Sequence, residues 1–226
     1  MGLSTGSPAA YDPIADWYAD YVRLDAGGFT ARADTALRRI LGPGRGTCLD
    51  VACGTGVFAA TLRGLGWSPV GVDISAAQLR HAAPAHPVAQ ADARALPVRT
   101  ASVPAVVAIL CHTDIDDYAA VAREAARVLV HGGRFAHVGV HPCFIGAFAD
   151  RSDPDRVVIS PGYWRRQRTF ETWAPQGIRA RVGATHLPLS ELVEAILAAG
   201  LVLEDMVEVG ETPDVLAIRA GARSVS

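Results

Sequence analysis

Three acids and two glycines carry the chemistry most plainly written in this sequence. Asp50 closes a short apolar run, Thr47-Cys48-Leu49-Asp50, and Val51-Ala52-Cys53-Gly54-Thr55-Gly56 follows. Asp73 closes a second run, Pro69-Val70-Gly71-Val72-Asp73, 19 residues after Gly54. Asp92 ends a third, in Ala91-Asp92-Ala93. Glycines at 54 and 56 let a backbone approach a ligand closely, because no Cβ stands in the way. A helical pattern starting at Val57 is expected to add unpaired N–H groups and the positive end of a dipole. An acid at the first strand end suits a ligand bearing an ammonium or sulfonium cation. It suits a pyrophosphate poorly, since like charges repel. Asp73, at the second strand end, can accept hydrogen bonds from both hydroxyls of a ribose; the simpler alternative is that it only caps its own turn.

Histidines are the candidate bases. His112 lies in Cys111-His112-Thr113-Asp114 after the apolar run Ala105–Leu110, and His141 opens His141-Pro142-Cys143-Phe144. Both are expected at strand ends on the crevice side, and imidazole titrates near neutrality, so either could take a proton from an acceptor. A hydrogen-bonded structural imidazole is the competing reading for each. His186, before the last helix, is a third candidate, whereas His81, His86, His131 and His137 read as structural. Asp114, Asp116 and Asp117 cluster beyond the fourth strand, but the last two suit the first turn of a helix, so no metal is expected. Cys48, Cys53, Cys111 and Cys143 show no C-x-x-C spacing and read as buried free thiols in a reducing compartment. All 21 basic residues are arginine, which removes Schiff-base lysine chemistry.

These residues need a scaffold that brings strand ends together. Strand, glycine turn and helix recur, which predicts a Rossmann-like, doubly wound α/β sheet with ligands at the carboxyl ends of its strands. Ile14, Tyr18, Tyr21 and Val22 predict a short amphipathic helix, rich in aromatics, ahead of a helix over Thr30–Leu41. This N-terminal part reads as a lid, with Tyr11 or Tyr18 offering a hydroxyl to a ligand. Helices are expected over Val57–Leu65, from the capping box Ser75-Ala76-Ala77-Gln78, up to His131-Gly132-Gly133, and after Ser190 as N-cap. Strands are expected at 86–90, Ala105–Leu110, Arg134–Val140, Leu201–Val209 and Val215–Arg219, seven in all, the last antiparallel. Residues 142–186 are irregular and aromatic, with Phe144, Phe148, Tyr163, Trp164, Phe170 and Trp173. A stretch this long without regular structure is usually functional; Phe144 and Trp164 are candidate substrate contacts, while Arg165, Arg166 and Arg168 read first as a solvated face. The expected division is one domain over 1–226: a lid at 11–41, a ligand-binding core at 42–141, an insertion at 142–186 and a closing helix and hairpin at 187–220.

Leu49-Asp50-Val51-Ala52-Cys53-Gly54-Thr55-Gly56, Val70-Gly71-Val72-Asp73-Ile74-Ser75 and Ala91-Asp92-Ala93-Arg94-Ala95-Leu96-Pro97 resemble three successive motifs of class I S-adenosylmethionine-dependent methyltransferases. The nearest flavour is the broad ubiquinone/menaquinone-biosynthesis type. The resemblance implies S-adenosylmethionine as cofactor, which carries both a sulfonium and an amino group. It implies that Asp50, Ala52, Gly54 and Gly56 hold the methionine end and Asp73 the ribose. Ile74 would pack on the adenine, and Asp92 and the Ala93 N–H would meet its edge. Cys111 would border the place where cofactor and acceptor meet, with His112, His141, Phe144, Trp164 and His186 toward the acceptor.

Composition narrows the partners. Half of the 226 residues are hydrophobic, enough for a full core, and the net charge of −2 gives no field to attract nucleic acid or an anionic membrane. Cys111-His112-Thr113-Asp114 also departs from the Asn/Asp-Pro-Pro-aromatic turn of base-methylating enzymes. No signal peptide, myristoylation pattern or membrane-length apolar run is visible. The expectation is therefore a cytoplasmic enzyme, monomer or homodimer, acting on a small apolar or aromatic metabolite. Abundant Ala, Gly and Arg point to a GC-rich genome, a setting in which such enzymes tailor natural products. Two rivals stand beside this reading: a nicotinamide-dependent oxidoreductase, since Ala59 satisfies the looser dinucleotide motif, and a catalytically silent S-adenosylmethionine-binding module.

Overall fold

In a computed structural model, residues 9–25, 28–153, 155–171 and 177–222 are described. Trp173, Gly27 and the polar start at 1–8 lie outside these residues. In chain order the elements are a 3₁₀ turn at Asp12–Ile14, α1 (Ala15–Leu24), α2 (Phe29–Leu41), β1 (Thr47–Val51), α3 (Ala59–Gly64), β2 (Ser68–Asp73), α4 (Ala76–Ala82), β3 (Val88–Gln90), β4 (Val103–Ile109), α5 (Tyr118–Val128) and β5 (Leu129–Val140). The insertion contributes a small hairpin, β6 (Ala149–Asp150) with β7 (Val158–Ile159), and α6 (Ile178–Val182). α7 (Leu189–Ala198), β8 (Leu201–Val209) and β9 (Val215–Ala222) close the chain.

Seven strands form one sheet in the order β3-β2-β1-β4-β5-β9-β8, with β9 antiparallel between β5 and β8. The strand order reverses between β1 and β4, and ligands bind beyond the carboxyl ends at such a switch point. Leu49 of β1 is paired with Val70 on one side and Val106 on the other. The inner strands are apolar on both faces because both faces are covered. On one face Leu37, Ile40 and Leu41 of α2 and Leu62 of α3 pack on Cys48, Val107 and Val138. On the other, Val121, Ala125 and Val128 of α5 and Leu192 and Ile196 of α7 pack on Leu49, Val106 and Phe135. Each leucine or isoleucine so buried contributes about 1.5–3 kcal/mol.

Several boundaries differ from expectation, each for a local reason. The helix expected to run to His131-Gly132-Gly133 ends at Val128, and β5 begins at Leu129. Leu129 pairs with Val103, and the register then jumps so that Ala105 pairs with Arg134. Pro104 sits at the jump and cannot donate to a ladder. α3 starts at Ala59, two residues later than expected, because Gly54 to Phe58 form successive turns. Ser190 is not the cap of α7: that helix starts at Leu189 after Pro188, whose carbonyl receives the Leu192 N–H. Ser75 does cap α4, accepting from the Gln78 N–H at 3.1 Å, and Asp117 caps α5 through the Ala120 N–H. Among the described residues no helix is long and apolar enough to cross a membrane.

Candidate functional site

The exits of β1 and β2 build one half of the site. Asp50 is 2% exposed, and no described residue donates a hydrogen bond to its carboxylate. Burial, with the nearby Asp73 charge as a smaller cause, pushes its pKa up to about 8. Ala52 follows with a φ of 55°, a left-handed conformation that costs a residue bearing a Cβ about 1–2 kcal/mol. The turn then brings the Gly54 N–H to Asp73 Oδ2 at 2.8 Å, while the Ser75 N–H reaches Oδ1 at 2.8 Å. Asp73 therefore does orient its own turns, and each carboxylate oxygen retains a lone pair for a further hydrogen bond. Burial raises its pKa against the pull of those backbone donors. A Cβ at Gly54 would stand 2.5 Å from the buried, unpartnered Gln78 Oε1.

These walls face a cavity of about 610 Å³, within the range of small-molecule sites. Asp50, Ala52, Gly54, Asp73, Ile74, Asp92, Ala93 and Cys111 all line it. Ile74 is 53% exposed and so presents an apolar face. Asp92 is held in a fork by Arg94, with contacts of 2.7 to 3.1 Å, which lowers its pKa. Gly56 does not line the cavity. Its φ is 74°, and an added Cβ would lie 2.6 Å from His86 Cε1 and 3.2 Å from the Ala82 backbone. The lack of a side chain there serves the packing against α4 and His86. A buried carboxylate without a donor, a glycine cradle and an exposed apolar side chain suit S-adenosylmethionine, whose ammonium and sulfonium supply the missing positive charge.

The other half is assembled from distant segments. Tyr11 Oη donates to Asp114 Oδ1 at 3.2 Å, and Arg179 Nη1 reaches the same oxygen at 2.6 Å. Arg179 Nη2 also donates to Thr113 Oγ1 at 3.0 Å. The N-terminal turn, the β4 exit and α6 are thus tied over the cavity, which Tyr11, Tyr18, Asp114 and Arg179 all line. Burial raises the pKa of both Tyr11 and Tyr18, keeping their hydroxyls protonated. The Arg181 guanidinium lies over the Trp17 ring at 4.3 Å, a second link between α1 and α6. On the α4 side, Ser75 Oγ donates to Asp12 Oδ1 at 2.6 Å and His81 meets Asp16 at 2.8 Å. Farther along the wall Arg32 of α2 forms a fork with Asp214, between β8 and β9, at 2.9 and 3.0 Å.

The histidines are placed elsewhere. His112 is 2% exposed and packs edge-on to His137, with ring centroids 5.0 Å apart. Burial, then the neighbouring His137, pulls its pKa well below the ordinary value. The reason lies in Leu110, whose φ of 57° breaks strand alternation and puts Leu110 and Cys111 on the cavity while His112 turns inward over Gly139. His141 is buried with both nitrogens engaged: Nδ1 accepts from the Cys143 N–H at 3.1 Å, so Nε2 carries the proton donated to Glu208 Oε1 at 2.6 Å. Phe144 packs against that imidazole at a tilt of 44°, with ring centroids 4.8 Å apart. His186 sits between Phe148 and Tyr163, where burial lowers its pKa to about 4, beside a separate cavity of about 30 Å³. Trp164 is 67% exposed. None of His112, His141, Phe144, Trp164 or His186 lines the large cavity. Among the described residues, no group of three His, Cys, Asp or Glu is placed to hold a metal ion, and the four cysteines are free thiols.

Residues the sequence did not single out complete the wall: Tyr21, Phe29, Arg32, Leu110, Ile145, Arg151 and Arg179. Tyr21 shares a helix face with Tyr18, which is a readable signal. Leu110 is brought in by its own positive φ, and Arg32 and Arg179 by contacts between segments far apart in sequence.

Comparison with known proteins agrees with this geometry. Residues 49–137 match the family described as Methyltransferase domain. Among solved structures, a candidate S-adenosylmethionine-dependent methyltransferase from Listeria monocytogenes superposes with a TM-score of 0.70 at 17% identity, covering 87% of this chain and 100% of that one. An S-adenosylmethionine-dependent methyltransferase from Mesorhizobium loti gives 0.65 at 20% identity, over 93% and 99%. A geranyl diphosphate methyltransferase in complex with GPP and sinefungin gives 0.60 at 19% identity, over 85% and 77%. No curated protein sequence matches. At these identities the structural likenesses carry the fold, and the family match carries the class. The chain thus carries a methyltransferase domain at residues 49–137, set in the fold of class I S-adenosylmethionine-dependent methyltransferases. It is thus an enzyme with S-adenosylmethionine as its cofactor, and the nicotinamide alternative falls away.

Proposed function

We propose that the enzyme methylates a small acceptor with an apolar or aromatic body, bound in the same cavity as the cofactor. When bound, S-adenosylmethionine supplies a methyl group already activated by a positive sulfur. The observation that carries the reading is the shared wall: Asp50, Asp73 and Asp92 line the same cavity as Tyr11, Tyr18, Leu110, Asp114 and Arg179. Asp50 would take the ammonium end, the Gly54 turn would approach the methionine backbone, and Asp73 would accept from the ribose hydroxyls. Ile74, Ala93 and Asp92 would receive the adenine, Asp92 through the capacity that its fork with Arg94 leaves.

The work of the chain is then to hold two reactants in line and keep water out, which can provide much of the rate enhancement. The tie between Tyr11, Asp114 and Arg179 is built for that closure. For an acceptor that must lose a proton, Asp114 replaces His112 in this reading, because it lines the cavity at the same strand exit. Transfer to oxygen, nitrogen or carbon, a role in natural-product tailoring, a cytoplasmic setting and a monomeric or homodimeric state are parts of the same proposal. They draw on the balanced charge and the coding bias. The direct test is a labelled-methyl assay against phenols, amines, carboxylates and indoles, with Asp50→Ala as control. Transfer to one class, lost in the control, is expected; absence of S-adenosylhomocysteine binding by calorimetry sinks the reading.

A further inference from the structure

Five arginines line the large cavity, and four of them meet strong partners. Arg32 is held by Asp214, Arg94 by Asp92 and Arg179 by Asp114. Arg168 donates twice to the Val182 carbonyl, at 3.1 and 2.8 Å. Arg151 differs. Its one polar contact among the described residues is a 3.4 Å approach to the Phe144 carbonyl, at the far limit of a hydrogen bond, and no described carboxylate pairs with it. A half-buried guanidinium with only this long contact keeps donors for a ligand, and its planar fork matches a carboxylate or phosphate.

Its position separates it from the three acids. Arg151 reaches Phe144, just past the β5 exit, where Val140 and Ile145 also line the cavity. Asp50 lies one residue before the end of β1, and β4 lies between β1 and β5 in the sheet. Two strand spacings therefore put about 10 Å between the two exits. An apolar wall of Leu110, Val140 and Ile145 spans the interval. The arrangement suits a molecule with an apolar body and an anionic head.

We propose that Arg151 is the anion-binding group of the acceptor subsite, so that the enzyme methylates an acceptor bearing a carboxylate or phosphate. The inference rests on the methyl-transfer reading above for the identity of the occupant as acceptor. The cofactor's own carboxylate is the one other source of such an anion within the cavity, and the test separates the two.

The experiment titrates the S-adenosylhomocysteine-saturated protein by calorimetry with hydroxybenzoates, aryl phosphates and the matching neutral carboxamides and alcohols. At least one anion is expected to bind about 10- to 100-fold more tightly than its neutral counterpart, the scale of a charge-assisted hydrogen bond. In Arg151→Gln that preference should vanish while the affinity for S-adenosylhomocysteine stays put; Arg151→Lys should restore part of it. Equal binding of neutral and anionic members, no binding by any anion, or a preference that survives in Arg151→Gln overturns the proposal. So does a loss of S-adenosylhomocysteine affinity in that variant, which would assign Arg151 to the cofactor carboxylate. If the anion binds through Arg151 but labelled methyl never reaches it, the methyl-transfer reading fails and the anion site stands.

Discussion

Asp50 should release a proton when the cofactor binds. With a pKa of about 8 in the free protein, roughly nine-tenths of the molecules hold this carboxyl protonated at pH 7. A ligand ammonium within a few ångströms lowers a carboxyl pKa by about 1–3 units. A drop of about 3 units releases nearly 0.9 proton per ligand at pH 7, and a drop of about 1 unit roughly 0.4. Calorimetric titration with S-adenosylhomocysteine in phosphate and in Tris, whose ionisation enthalpies differ, reads that number directly. The same linkage makes affinity rise with pH between about 6 and 8 and level off above, because the ionised form is the one that binds. Asp50→Asn removes both the proton release and the pH dependence. The sign for folding is opposite: an acid whose folded pKa is raised favours the native state fully below about pH 4. That contribution is lost as pH climbs toward about 8. The ligand-free Asn variant should therefore be more stable than wild type at pH 8, by at least about 1 kcal/mol in urea unfolding. Proton release indistinguishable from zero, together with an affinity flat in pH, would refute the placement of the cofactor's cation at Asp50.

Asp73→Asn should weaken S-adenosylhomocysteine binding by about 1.5–3 kcal/mol, the scale of hydrogen bonds to a charged group, and an unchanged dissociation constant removes Asp73 from the ribose. Gly56→Ala should lose about 2–4 kcal/mol of stability, from its positive φ and the approach to His86 and the Ala82 backbone. If instead it melts like wild type and binds cofactor poorly, Gly56 is a ligand contact after all. Arg179→Met leaves Asp114 nearly buried without its cation, at a cost of about 3 kcal/mol, and adding Asp114→Asn should recover a large part. Additive losses in that double variant, measured by chemical unfolding, would mean that the pair is not coupled.

The cofactor half was legible because its logic is local. Each of Asp50, Asp73 and Asp92 closes an apolar run, and strands, turns and helix α4 succeed one another within about fifty residues. Periodicity and spacing suffice for such a unit. What failed there was fine geometry: Gly54 and Gly56 look alike in sequence, yet only Gly54 lines the cavity. The acceptor half was not legible, for two physical reasons. One is a single dihedral. Leu110 in the left-handed region resets the alternation after β4, so the side chain expected on the crevice, His112, points into the sheet. No composition rule marks Leu for that conformation, which is costly for it. The other reason is range. Tyr11 meets Asp114 across 103 residues, Arg32 meets Asp214 across 182, and His141 is occupied by Glu208 from 67 residues away. A histidine at a strand exit reads as free until its partner is known, and here that partner sits on β8. The same reasoning assigns specificity to the segments rather than to a motif. The N-terminal turn, the β4 and β5 exits, the loop bearing Arg151 and helix α6 each lend one or two side chains to the cavity wall, where the acceptor is proposed to bind. Any of them can change without disturbing the three acids proposed to hold the cofactor. A change of acceptor is therefore expected to track substitutions at Tyr11, Asp114, Ile145, Arg151 and Arg179 while Asp50, Gly54 and Asp73 stay fixed.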